Sequence, residues 1–144
     1  MKIFLDTNVL LDWLLDRQDT FANEATAIIE AAENNLIEAY ISARTVYTIA
    51  YVLEKSGKKG EALRSAMTRL LNLLNVKATD TQPYLAACLR NMKDLEDAFQ
   101  YEIALYGLKM DYFVTANLKD FATQDQKELP VVTPAQMLDY IRKL

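Results

Sequence analysis

The first sixteen residues, MKIFLDTNVLLDWLLD, set a pattern that constrains the whole chain: a short apolar run stops on a polar residue and a helical stripe begins at once. Lys2, Ile3, Phe4 and Leu5 read as a brief buried strand. Asp6, Thr7 and Asn8 are residue types that cap helices, and Val9, Leu10, Trp13 and Leu14 recur at the spacing of one helical face. The same grammar returns at Leu36 to Ile41, followed by Ser42 and a stripe of Val46, Ile49, Ala50 and Leu53. It returns again at Val131 and Val132, followed by Thr133 and Pro134, the favoured order for opening a helix.

Between these units the pattern stays mostly helical. Asp19 and Thr20 offer a cap for a helix whose face carries Phe21, Ala25, Ile28, Ile29 and Ala32. A helix starting near Gly60 places Leu63, Ala66, Met67, Leu70, Leu71 and Leu74 over three turns. Val76, Lys77 and Ala78 form a short edge strand, and Thr79 to Thr81 open a helix with Leu85, Cys88, Leu89 and Met92 on its apolar side. From Asp94 to Tyr106 almost no polar face remains, so that helix is expected to be buried on most sides. Gly107 ends it, and Tyr112, Phe113 and Val114 make a further strand that stops at Thr115.

Strands separated by helices, with no tight hairpin signal, predict an α/β fold: a central parallel sheet of four to five short strands wrapped by helices. A chain of 144 residues, 51% hydrophobic, with three Gly and three Pro, is expected to form one domain over residues 1–144. Asp6, Asp12 and Asp16 interrupt the amino-terminal apolar residues before a secretory core forms, and no run approaches a membrane span. The single cysteine, Cys88, reads as a buried and inert thiol. These features together predict a cytoplasmic protein with no membrane partner.

The chain contains no histidine. Imidazole bases, Ser-His or Cys-His nucleophile pairs and nearly all zinc sites are thereby excluded, which leaves carboxylates, hydroxyls, amines or a hard metal ion to carry any chemistry. Three polar clusters fall at element ends: Asp6 after the first strand, Asp94 and Asp97 at the start of the apolar helix, and Asn117 with Asp120 after the strand ending at Thr115. Each has an ordinary structural role available to it as a helix cap, a partner of the helix dipole or a turn residue. Their joint location at the carboxyl ends of parallel strands points instead to a ligand site, and hard oxygen donors suit Mg²⁺ or Mn²⁺.

The opening Ile3-Phe4-Leu5-Asp6-Thr7-Asn8, the Asp94-Leu95-Glu96-Asp97-Ala98 segment, the run from Val114 to Phe121 and the Val-Thr-Pro at 132 to 134 resemble the PIN domain family, most closely the small bacterial proteins related to VapC-type toxins. The resemblance covers essentially the whole chain and implies a three-layer PIN-like fold. It also implies an endoribonuclease that hydrolyses RNA phosphodiesters with Mg²⁺ or Mn²⁺, the toxin of a toxin-antitoxin pair, with an antitoxin protein as partner and a homodimer as the assembly. On this basis Asp6 and Asp97 are the principal metal ligands, and Asp94, Asn117 and Asp120 complete the acidic pocket. Thr7, Asn8 and Thr115 orient ligands or water, and activation of water by the cation takes the place of an imidazole base.

The sequence departs from the family at three positions. Thr48 stands where a glutamate is usual, Asn117 where the toxins often have aspartate, and Ala116 where related sequences often carry Arg. The first two changes remove negative charge, which lowers metal affinity and favours an alternative in which a PIN-like scaffold binds RNA or a protein partner without cutting. A phosphotransfer domain with Asp6 as acceptor is disfavoured, because Asn8 stands where a second aspartate is expected and no Gly-rich phosphate loop is present.

Net charge is −4, which gives no long-range attraction for nucleic acid. Lys55, Lys58, Lys59, Arg64 and Arg69 nevertheless cluster around one turn, either as an ordinary solvated surface or as a patch for RNA phosphates. Tyr47 and Tyr51 lie off the Val46, Ile49, Ala50, Leu53 stripe. Core packing is the expected role of each, and an association surface is the alternative.

Overall fold

A computed structural model describes residues 1–18, 20–122, 124 and 127–144. Five strands, β1 (Lys2–Leu5), β2 (Glu38–Ile41), β3 (Asn75–Val76), β4 (Tyr112–Val114) and β5 (Val131–Val132), form one sheet in the order β3-β2-β1-β4-β5, with all neighbours parallel. The helices are α1 (Thr7–Leu15), α2 (Ala22–Glu33), α3 (Ala43–Lys55), α4 (Gly60–Leu73), α5 (Gln82–Cys88), α6 (Leu95–Leu105) and α7 (Pro134–Arg142), with a 3₁₀ turn at Leu118–Phe121. The α/β class and the parallel sheet are those the sequence pattern predicts.

Topology fixes where a ligand site belongs. The chain runs from β1 to β2 and β3 on one side of the sheet, then crosses to β4 on the other side of β1. Strand order therefore reverses between β1 and β4, and such a reversal leaves a crevice beyond the carboxyl ends of the strands. The ladder extends into it, because the Asp6 amide donates to the Val114 carbonyl at 2.9 Å and the Thr115 amide to that of Val132 at 3.0 Å.

Alternation along the strands divides the core between the two faces of the sheet. Ile3 and Leu5 join Val114, Val132 and the apolar stripes of α1, α2, α3 and α7, while Phe4 joins Tyr101, Phe113, Phe121 and Val131 under α6. The second cluster is largely aromatic: the Phe113 ring lies 5.5 Å from Phe4, 5.5 Å from Tyr101 and 4.8 Å from Phe121. Helix starts follow their caps. Asp6 accepts from the Thr7 amide, Ser42 from that of Thr45, Asp94 from that of Asp97, and Thr133 forms a full capping box with Gln136. Asp19, half of the cap expected before α2, lies outside the described residues, and the helix begins at Ala22 with Phe21 at its N-cap.

The expected face of α5 is corrected. This seven-residue helix buries Pro83 and Ala87, whereas Cys88 is exposed and Leu85 and Leu89 are 56% and 89% exposed. Pro83 and Ala87 are four apart and small, so they let the backbone settle closely on α6, and the larger Leu85 and Leu89 turn outward, while Tyr84 meets Phe99 edge-on at 5.2 Å. Tyr47 and Tyr51, expected in the core, are 77% and 64% exposed on α3, with the Lys55 ammonium over the Tyr51 ring.

Lys77, just past β3, is buried and its Nζ donates to the Ala104 carbonyl, one of the orphan acceptors at the end of α6. Burial pushes its amine down to about 8. Between pH 8 and 10.5 the unfolded chain then binds more protons than the folded one, so stability rises with pH across that window. Relative to Lys77→Met, wild type is expected to gain at most about 3 kcal/mol over this range, measured by urea unfolding at each pH. A constant difference would show that burial does not perturb this amine.

Candidate active site

Asp6 is the first residue after the central strand and is 6% exposed. Every contact of its carboxylate is a donor from a different residue. Oδ1 accepts from the Thr7 amide at 2.9 Å and from Gln100 Nε2 at 3.3 Å, while Oδ2 accepts from the Thr115 hydroxyl at 3.0 Å and from Asn8 Nδ2 at 3.4 Å. Burial pushes the carboxyl above its ordinary range, opposed by the donors from Gln100, Thr115 and Thr7 and by the positive charge of Arg44.

Thr7, Asn8 and Thr115 occupy the supporting positions. Asn8 Oδ1 accepts from the Ala116 amide at 3.1 Å and its Nδ2 reaches Thr115 Oγ1 at 3.3 Å, so one side chain ties the end of β1 to the end of β4. Thr115 Oγ1 also accepts from the Asn117 amide at 3.1 Å. The Thr7 hydroxyl is 2.8 Å from that of Thr45 on α3, which in turn lies 3.2 Å from the Ser42 hydroxyl. Ser42 was expected as the start of α3 but not as a contact of the site, and Thr45 was not singled out, although the capping pair at i and i+3 before a helical stripe is a visible signal.

Asp97 enters from α6. Its carboxyl is pushed up to about 7, first by burial and then by the negative charges of Asp6, Asp94, Asp120 and Glu96. Acids from the end of β1, from the first turn of α6 and from the 3₁₀ turn therefore act on one group. Asp94 and Asp120 are exposed and contribute charge at the rim, and Asp94 uses Oδ1 to cap α6 through the Asp97 amide at 3.1 Å. Asn117 is exposed at the start of the 3₁₀ turn, with no side-chain capping bond. Thr48 donates to the Arg44 carbonyl at 3.1 Å, one turn back along its own helix.

Gln100 is the residue that sequence reading missed. Three positions after Asp97, it shares that face of α6, is 2% exposed, and contacts both Asp6 Oδ1 and Thr7 Oγ1, the latter at 3.4 Å. Arg44 was missed as well. It lies in the first turn of α3, pairs with Glu96 at 2.9 Å and is the cation whose charge bears on Asp6.

The basic cluster lies elsewhere. Ser42 stands at the start of α3 and Lys55 at its last turn, about 20 Å farther along the axis, and Lys58, Lys59, Arg64 and Arg69 continue from that far end. All five side chains are exposed.

Residues 2–119 match the PIN domain family. The chain is a PIN domain. Among solved structures, that of VapBC2 from Rickettsia felis bound to a DNA fragment from its promoter has the same fold: 21% of residues are identical, the alignment covers 92% of this chain and 98% of that one, and the TM-score is 0.61. No curated protein matches the chain. PIN domains are generally nucleases dependent on divalent metal, which places this one in a family of hydrolases acting on nucleic acid.

The donor chemistry of the PIN domain's crevice suits such an ion. Among the described residues no three acidic side chains are grouped as a metal cluster. Mg²⁺ is commonly held by only one or two carboxylates and keeps several waters, so Asp6 and Asp97 are a sufficient pair. Two local features suit positive charge: burial and the charges of Asp6, Asp94, Asp120 and Glu96 disfavour ionisation of Asp97, and Gln100 Oε1 is buried without a hydrogen-bond partner among the described residues. Among the described residues no helix is long and apolar enough to cross a membrane.

Proposed function

We propose that this PIN domain is a divalent-metal-dependent endoribonuclease and acts as the toxin of a toxin-antitoxin pair, with an antitoxin protein as its partner. The observation that carries the reading is the crevice beyond β1 and β4, where Asp6 takes donors from Thr7, Asn8, Gln100 and Thr115, and where Asp97 of α6 is pushed up to about 7 by burial and by acids from three separate elements. Accumulated charge of this kind disfavours an empty pocket and favours a cation.

When bound, Mg²⁺ or Mn²⁺ supplies an activated water and neutralises charge on a phosphodiester. The protein's part is to fix the donors. Asp6 is locked by four donors, so little reorganisation is needed on loading. Arg44 is the side chain we assign to a substrate phosphate, exchanging Glu96 for the incoming anion, because guanidinium and phosphate match as bidentate partners and Glu96 is exposed enough to release it. The partnership with an antitoxin follows the VapBC2 complex, whose chain shares this fold.

Cleavage of fluorescent single-stranded RNA, with and without Mn²⁺, tests the function. Wild type is expected to cut only with the metal, and Asp6→Asn to lose at least about a hundredfold in kcat/KM. Undiminished cutting by Asp6→Asn overturns the assigned site. The loss of acidic charge at Thr48 and Asn117 favours a second reading as a non-cutting RNA-binding scaffold, for which the outcome is retained RNA binding with no cleavage at any Mn²⁺ concentration.

A further inference from the structure

Gln100 presents a conflict that the protein alone does not resolve. Its Nε2 donates to Asp6 Oδ1 at 3.3 Å and lies 3.4 Å from Thr7 Oγ1, and its Oε1 is the buried side-chain atom left without a partner among the described residues. Leaving a buried acceptor unsatisfied costs about 1–3 kcal/mol, and native interiors rarely carry one without a reason. Turning the amide over does not help. The oxygen would then face the Asp6 carboxylate, two acceptors about 3.3 Å apart, and Asp6 would lose a donor. An aliphatic side chain of similar size would fill the same space between α6 and the end of β1 without this cost.

We infer that Gln100 is a positioning residue of the cation site: its amide holds Asp6 in place from one end, and its carbonyl oxygen is the acceptor that a hydrated divalent cation satisfies from the other. The inference rests on the proposed metal site and adds to it a neutral member. Asp97 and Gln100, three apart on one face of α6, then address the same cation, one by charge and one by an oriented dipole. Asp6 connects them, since it receives the Gln100 amide and its charge bears on Asp97. Hydrated Mg²⁺ suits this arrangement because it retains waters whose protons need acceptors. Outer partners of this kind commonly contribute about ten- to a hundredfold to metal affinity.

The test is Mn²⁺ binding to the full chain, monitored by calorimetry and by water-proton relaxation, with thermal unfolding of the metal-free protein measured in parallel. Gln100→Met is expected to bind Mn²⁺ at least about tenfold more weakly, and its unfolding without metal measures separately what loss of the amide donor to Asp6 costs against removal of the orphaned acceptor. Affinity within about twofold of wild type overturns the inference. If Gln100→Met does not fold, Gln100→Asn decides the matter: an amide one methylene shorter withdraws its oxygen from the cation, so Mn²⁺ affinity is expected to fall at least about tenfold, and an unchanged affinity overturns the placement. Failure of wild type itself to bind Mn²⁺ overturns the metal-site reading and this inference with it. That result is distinct from a wild type that binds and a Gln100→Met that binds equally well.

Discussion

Asp97→Asn should stabilise the metal-free protein at neutral pH while removing the proposed metal-dependent cleavage. In the folded chain the carboxyl titrates at about 7, above its ordinary 3.8, because burial and the charges of Asp6, Asp94, Asp120 and Glu96 disfavour ionisation. Between about pH 4 and 7 the folded state therefore holds a proton that the unfolded state has released, and stability falls as pH rises through that window. Below about pH 4 wild type and the Asp97→Asn variant should be equally stable. Above about pH 7 the variant should lead by about 1–2 kcal/mol, after allowing for solvent screening at a half-buried carboxyl. Removal of a proposed ligand should also cost about a thousandfold in kcat/KM, equivalent to about 4 kcal/mol of transition-state stabilisation. Addition of Mg²⁺ should raise the unfolding temperature of wild type only, since a ligand stabilises the state that binds it. Chemical denaturation across about pH 4–8, with and without Mg²⁺, checks each part. Equal stability at every pH would mean that Asp97 is not strained.

Such opposition between stability and function is the signature of a group kept for what it binds. It also explains why part of the molecule was readable from sequence and part was not. The βα boundaries at Asp6, Ser42 and Thr133 were legible because strand end, cap and helical stripe are all local signals, and the sheet follows from their succession. The meeting of Asp6, Asn8 and Thr115 was legible for a related reason: parallel strands put their carboxyl ends together, so residues following β1 and β4 become neighbours whatever their sequence separation.

What escaped was tertiary. Gln100 sits inside an apolar run, among Phe99, Tyr101, Ile103 and Ala104, where nothing local marks one amide as part of a site; that it points at Asp6 depends on how α6 docks. A local clue existed in its spacing of three from Asp97, which fixes a common face once Asp97 is assigned to the crevice. For α5, periodicity misled because small side chains set the close approach and the larger ones were left outside. The position of the basic cluster relative to the crevice was legible in advance, because a helix of thirteen residues carries the chain from Ser42 to the cluster's first lysine.

Arg90→Ala should strongly destabilise the side of the sheet that carries α6. The guanidinium donates to Glu102 on α6 and to Gln124, meets Glu128 at 3.1 Å, and lies 4.7 Å from the centre of the Tyr101 ring. One side chain thus joins the residues after α5, the middle of α6 and the segment leading into β5. Glu102 is only 15% exposed, so removal of Arg90 strands its charge in a poorly solvated position, and losing one partner of such a pair costs about 3 kcal/mol or more. For a chain of this size that corresponds to roughly 6–12 °C in unfolding temperature. Arg90→Lys should recover less than half of the loss, because an ammonium lacks the planar fork that serves several acceptors and stacks on an aromatic face. The double change Arg90→Met with Glu102→Gln separates the two contributions. If the stranded carboxylate dominates, the double variant should be more stable than Arg90→Met alone. If packing on Tyr101 dominates, the two should unfold together, and the ion pair would then be incidental to how this half of the PIN domain is held.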